Sequence, residues 1–238
     1  HGDLGHSFKS RNPVVDELSS RVPVTLELGI LALIIAAGIA IPVGVLSAAR
    51  QDTMPDYVSR SLAIGLLAIP GFWLATLAIT LPSIWFKWTP PLRYTYLQDD
   101  VRKNLTQMLL PAIILGIGLS GSMMRLTRAQ MLEVMRQDYI RTALAKGLAP
   151  RTTIIRHALR NALIPVVTLV GLQAPVLVGG AVIMEQIFVI PGLGSAVTEA
   201  VAREDFPVVL AIVMLVAVTF VIINLVVVTK GAGRVSEV

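Results

Sequence analysis

The chain has 238 residues, 55% of them hydrophobic and only 15% charged, with a mean hydropathy of +0.75. A soluble domain carries roughly 25% charged residues, so this composition excludes a cytosolic globular enzyme, and it excludes disorder, which needs low hydrophobicity and high charge. A formal net charge of +5 would suit nucleic acid, but the excess positive charge gathers on one side of a membrane, and the lack of cysteine excludes disulfides, thiolate chemistry and cysteine metal sites.

The apolar residues are clustered. Taken in chain order, five stretches approach the roughly 20 residues that cross a bilayer as helix: Val24–Ala49, Ser61–Phe86, Leu105–Met124, Ala162–Met184 and Pro207–Thr229. Each is longer than a buried strand of 4–8 residues. In lipid every backbone group must pair internally, which leaves helices or closed barrels. Barrel strands alternate polar and apolar residues, and these stretches do not. The predicted class is therefore all-α, a polytopic bundle in a membrane.

The charges set the expected orientation. Segments 49–60, 125–161 and 230–238 share one side and carry twelve Lys and Arg against five acids, a net +7. Segments 1–23, 85–104 and 185–206 share the other, with eight basic residues against nine acids, a net −1. Cytoplasmic loops are enriched in Lys and Arg, so the first side is expected in the cytoplasm. The expected organisation is an extracytoplasmic segment over 1–23, a membrane domain over 24–229 and a cytoplasmic tail over 230–238. An odd number of spans with an outer start implies a further span upstream. Trp85, Trp88, Tyr94 and Tyr96 suit an aromatic belt at the outer interface.

The longest cytoplasmic segment, 125–161, is more than a topology signal. From Arg125 to Lys146 it has no Pro or Gly and is rich in helix formers. Gly147 is placed to stop that helix and Pro150 to open the next. In the second helix Ile154 with Ala158 and Ile155 with Leu159 would share one face at i,i+4, and Arg156 with Arg160 another. Arg125 and Arg128 by themselves only fix topology. Two amphipathic helices around a glycine turn expose apolar faces outside the bilayer, which calls for a covering partner.

Three stretches carry a resemblance. Tyr139-Ile-Arg-Thr-Ala-Leu-Ala-Lys-Gly147, followed by Arg156-His-Ala-Leu-Arg-Asn-Ala-Leu-Ile-Pro165, resembles the cytoplasmic signature loop of ABC-importer permeases, most nearly the dipeptide/oligopeptide/nickel branch. Val189-Ile-Pro-Gly-Leu-Gly194 resembles that branch's outer-face motif. Gly2-Asp-Leu-Gly-His-Ser7 resembles the stretch that follows its first membrane helix. The wider superfamily has Glu-Ala-Ala six residues before the loop glycine, where this chain has Arg141, Thr142 and Ala143, as is usual in the peptide branch. It has Pro thirteen residues after that glycine, where this chain has Arg160. The pattern is thus that of the peptide/nickel branch and not of sugar permeases. The ending Lys230–Val238 does not resemble the family's.

The resemblance implies a type I ABC importer permease fold of six helices. It also implies a related second permease, two ABC ATPase subunits that bind ATP and Mg, an extracytoplasmic solute-binding protein and surrounding lipid. The loop would dock on an ATPase through Tyr139, Arg141, Thr142, Ala143, Lys146, Gly147, Arg151, Arg156 and Arg160. ATP can shift the permease only through contacts that differ between conformational states, and these helices are the large candidates.

The chain itself is expected to bind no cofactor or nucleic acid and to be no enzyme. A phosphate loop needs G-x-x-x-x-G-K-[ST], and no Gly-Lys pair occurs; His157 sits among arginines and reads as solvated or interfacial. Glu27 lies one turn inside the first span, so an ion-coupled secondary transporter is the alternative, although that class places its acids near the midplane. Gln173 and Pro175, at mid-span, and Glu185, at the outer end of the fourth span, are the candidates for the translocation path. Gly171, Gly179 and Gly180 suit close helix packing, and Pro42, Pro70, Pro82 and Pro165 suit kinks or breaks.

Overall fold

The computed structural model describes residues 4–91 and 93–235; over 174–180 and 227–235 it describes the backbone alone. The described residues are helical almost throughout, with one isolated β-bridge between His6 and Pro13. The helices are α1 (Val14–Ala49), α2 (Met54–Ala68), α3 (Gly71–Phe86), α4 (Val101–Met135), α5 (Asp138–Ala145), α6 (Pro150–Thr152), α7 (Leu159–Leu172), α8 (Ala174–Ile187), α9 (Leu193–Ala202) and α10 (Phe206–Val235). Among the described residues, Val14–Ala49, Val101–Met135, Pro150–Leu172 and Phe206–Val226 are long and apolar enough to cross a membrane. The α2–α3 pair makes a fifth if counted as one broken span.

Several boundaries differ from the expectation, each for a local reason. α1 starts ten residues before Val24, because Val14 and Leu18 are buried one turn apart and extend the apolar stripe outward. The second span breaks at Ile69–Pro70, where both residues are extended and Pro70 caps α3. α4 runs unbroken through Arg125 and ends at Met135, so the helix expected over 125–146 is two helices. The fourth span breaks at Gln173, and Pro175 lies in the first turn of α8, where a proline costs no hydrogen bond. Between α6 and α7 a π-helical turn covers Thr153–Ala158 in place of the expected i,i+4 register. Ala158 is buried there and Ile154 half-buried, whereas Ile155 faces outward.

The chain forms two compact units. The first comprises His1–Ala32, Pro70–Leu115 and Gln173–Val238. Its core joins Val14 and Leu18 of α1 to Leu193, Ala196 and Ala200 of α9 and to Val208, Ala211 and Ile212 of α10. The i,i+4 pairs make one stripe per helix, and the alanines let the backbones approach.

The second unit comprises Leu33–Ile69 and Gly116–Leu172. Its core gathers Ala48 of α1, Met131 of α4, Ile140 of α5, Ala158 and Ala162. α1, α2 and α4 are also joined by a polar knot. Asp56, fully buried, accepts Nε and Nη2 of Arg128 at 2.7 Å each, the hydroxyl of Ser47 and the backbone N–H of Asp52 at 3.1 Å.

Candidate functional site

The elbow from the end of α4 to the first turn of α7 contains every expected docking residue. α4 stops at Met135, and the turn closes with Arg136 N–H donating to Glu133 O and Gln137 N–H to Val134 O. Gln137 is extended and caps α5. α5 ends in a Schellman motif: Gly147 N–H donates to Leu144 O at 2.9 Å and Leu148 N–H to Ala143 O at 3.3 Å. Gly147 has φ +81°, the left-handed backbone this cap requires, and no atom lies within 4 Å of the place a Cβ would take. The stop expected at Gly147 and the start expected at Pro150 are both found.

The elbow is fastened from beneath and open above. Ile140 is buried in the second unit's core, and Asn161 Nδ2 donates to the Tyr139 hydroxyl at 2.8 Å, tying α5 to α7. Arg141, Thr142, Lys146, Gly147, Arg151, Arg156 and Arg160 are exposed, Tyr139 presents an exposed ring, and Ala143 is half-buried. Asp138 is the one acid on α5 and reaches Arg141 only at 3.7 Å with both side chains in solvent, a contact worth little. The surface is therefore basic, with Leu144, Leu148 and Ile155 exposed between the charges.

The 188–195 turn of the first unit has the opposite design. Glu185 is fully buried; its carboxylate accepts the Thr25 hydroxyl at 2.6 Å and Ser195 N–H at 2.8 Å, and Thr25 Oγ1 in turn accepts Leu193 N–H at 2.8 Å. A Cβ on Gly192 would lie 2.2 Å from that carboxylate, and one on Gly194 2.4 Å from the Val182 Cα. Both glycines of the motif are thus demanded by close approach. Glu185, expected as a candidate for the translocation path, is held in this structure by hydrogen bonds within the chain. Gln173 caps α8 and is half-buried, while the side chain of Pro175 lies outside the described residues.

Two further clusters belong to the first unit. Ser7 donates to Asp205 Oδ2 and accepts the N–H groups of Lys9 and Ser10, while Phe8 N–H donates to Asp205 Oδ1 at 3.1 Å. Ser7 is the last residue of the 2–7 stretch singled out in the sequence, of which residues 4–7 are described. Glu27 accepts long hydrogen bonds from Tyr94 at 3.5 Å and Asn104 at 3.4 Å, beside a cavity of about 770 Å³ lined by Tyr94, Tyr96 and Leu105.

The Asp56–Arg128 pair was not legible in the sequence. The two residues are 72 positions apart and counted there only as topology charges. Asp56 lies in the first turn of α2, ahead of the apolar stretch expected from Ser61.

Residues 40–229 match the family model described as the binding-protein-dependent transport system inner membrane component. The chain belongs to that family. It is 42% identical to the dipeptide transport system permease protein DppB of Escherichia coli (strain K12), over 95% of this chain and 74% of the relative. It is 38% identical to the glutathione transport system permease protein GsiC of Escherichia coli O6:H1, over 95% and 71%. An inward-facing structure of the MetNI methionine ABC transporter superposes with a TM-score of 0.73 at 16% identity, covering 92% of this chain and 97% of that one. An amino acid ABC transporter solved with histidines gives 0.64 at 13% identity. The fold is thus that of ABC importer permeases, and family membership sets aside the alternative of an ion-coupled secondary transporter. The protein is a multi-pass permease subunit of an ABC importer.

Proposed function

We propose that this permease carries peptides or related small solutes inward, and that its elbow couples the movement to ATP hydrolysis on a separate ATPase subunit. The observation that carries the coupling is the elbow itself, a basic, exposed surface fastened to two membrane helices by Ile140 and by the Tyr139–Asn161 hydrogen bond. A segment that transmits motion must resist bending, and a Schellman-capped helix seated on a buried core does so. Tyr139, Arg141, Thr142, Ala143, Lys146, Gly147, Arg151, Arg156 and Arg160 form the docking surface, and an acidic cleft with an apolar floor is the complement that fits them.

The substrate class follows from relatives named for dipeptide and glutathione transport. An extracytoplasmic binding protein delivers the solute, and a second permease of the same fold completes the path. Gln173 and Pro175, at the break between α7 and α8, are the proposed path residues of this chain. The elbow and the 230–238 tail face the cytoplasm, and residues 4–23 face outward.

Replacing Gly147 or Ala143 with aspartate tests the coupling. The expected result is loss of ATPase co-purification and at least a tenfold drop in dipeptide uptake; unchanged values for both would refute the reading. The chain has no cysteine, so single cysteines in place of Met54 and Pro90 test the orientation. An impermeant maleimide on intact cells should label position 90 and spare position 54; the reverse pattern would overturn the topology.

A further inference from the structure

We infer that Asp56 and Arg128 are positioning residues of the transport cycle: a clasp that holds α4 in fixed register on α1 and α2, so that force entering at the elbow moves the helices and is not absorbed. The inference rests on the coupling reading above. One carboxylate ties three helices. Asp56 is on α2, Arg128 on α4, Ser47 on α1, and the backbone N–H of Asp52 completes the set. Arg60 adds a longer contact at 3.5 Å while its guanidinium lies 4.6 Å above the Tyr57 ring.

The form of the contact specifies position. A bidentate guanidinium–carboxylate pair fixes rotation and translation together, whereas an ammonium fixes only a distance. Asp56 has no exposure and the Arg128 side chain is 19% exposed. At such burial, desolvation offsets much of the attraction, and a well-packed apolar pair is often as stable or more so. Stability by itself therefore does not explain the pair; geometry does.

The clasp sits where elbow motion enters the bundle. Thr127, next to Arg128, packs on Gly44 of α1 so closely that a Cβ there would lie 2.8 Å from the Thr127 Cβ. One turn further along α4, Met131 meets Ala48, the neighbour of Ser47, together with Ile140 of α5 and with Ala158 and Ala162. A push on α5 thus reaches α4 and α1 through Ile140 within one helical turn of the ion pair. If α4 could slide or roll against α1 there, the push would be spent on that slip.

The test uses the complete importer, with its ATPase subunits and binding protein, in proteoliposomes, and reads dipeptide imported per ATP hydrolysed. Asp56→Asn and Arg128→Lys should keep ATPase subunits bound and hydrolysis within about twofold of wild type, while import per ATP falls about tenfold. Asp56→Leu combined with Arg128→Met removes both charges of the bidentate pair, and Arg60, whose side chain is 40% exposed, loses only its longer 3.5 Å contact. This double variant should restore thermal stability to near the wild-type value yet stay uncoupled. Import per ATP within twofold of wild type in that folded double variant would overturn the clasp, as would loss of ATPase binding in all three variants. Failure of the wild-type permease to bind an ATPase at all would instead overturn the coupling reading.

Discussion

The elbow and the 188–195 turn both join helices through glycine, and they need it for opposite reasons. At the elbow Gly147 has free space around it and supplies a left-handed backbone. At the other turn Gly192 and Gly194 sit where a Cβ would strike the Glu185 carboxylate or the Val182 backbone. The first turn is open, and its polar side chains face out. The second is completed from inside, by a carboxylate that accepts the Ser195 N–H and a hydroxyl that accepts the Leu193 N–H. An exposed turn is free to change its partner contacts, while a latched one keeps its shape.

The contrast predicts a gradient of substitution effects. Gly194→Ala should be the most damaging, since backbone and not a flexible side-chain end opposes the new methyl. A loss of about 3 kcal/mol is expected, read as failure to recover folded permease after detergent extraction. Thr25→Val comes next. It keeps the shape but strands the Leu193 N–H and removes a donor from Glu185, costing about 2 kcal/mol and visible as a lowered Tm. Gly147→Ala has room but must hold φ +81°, so about 1 kcal/mol is expected, with helix fraying seen as faster amide exchange at 144–148.

Arg141→Ala should change stability by less than about 0.5 kcal/mol while lowering dipeptide uptake. If it were instead as damaging to the fold as Thr25→Val, the distinction between open and latched turns would fail. The smallest effect concerns pH at the Ser7–Asp205 contact. Burial alone would raise the Asp205 carboxyl, but hydrogen bonds from Ser7 and from the backbone of Phe8, Lys9 and Val208 outweigh it and hold it below its ordinary 3.8. A depressed carboxyl contributes stability that is complete above its unfolded value and lost as pH falls through the folded one. Proteolysis of the 5–13 loop should therefore be flat from pH 8 to pH 5 and rise only below about pH 4.

What the sequence disclosed follows the same divide. Helical class, the apolar stretches and the elbow's glycine stop rest on local signals: unbroken apolar length, and Gly147 followed by Pro150. The end of α4 at Met135 was not legible, because nothing in Met-Arg-Gln-Asp disfavours helix; Ile140 entering the core alongside Met131 decides it. The break at Gln173 was hidden by continuous hydrophobicity across 162–184. The roles of Glu185, Asp56 and Asp205 depend on partners 160, 72 and 198 positions away, and no spacing rule reaches that far.

The vacancy beside the Gly147 α-carbon has one more consequence. Because nothing in the chain itself limits a side chain there, residue 147 can serve as a feeler gauge for whatever surface meets the elbow. Asparagine tolerates left-handed backbone, so Gly147→Asn would keep the cap and add a few ångströms of bulk. Unhindered docking of that variant would measure a gap, and blocked docking a fit with no clearance.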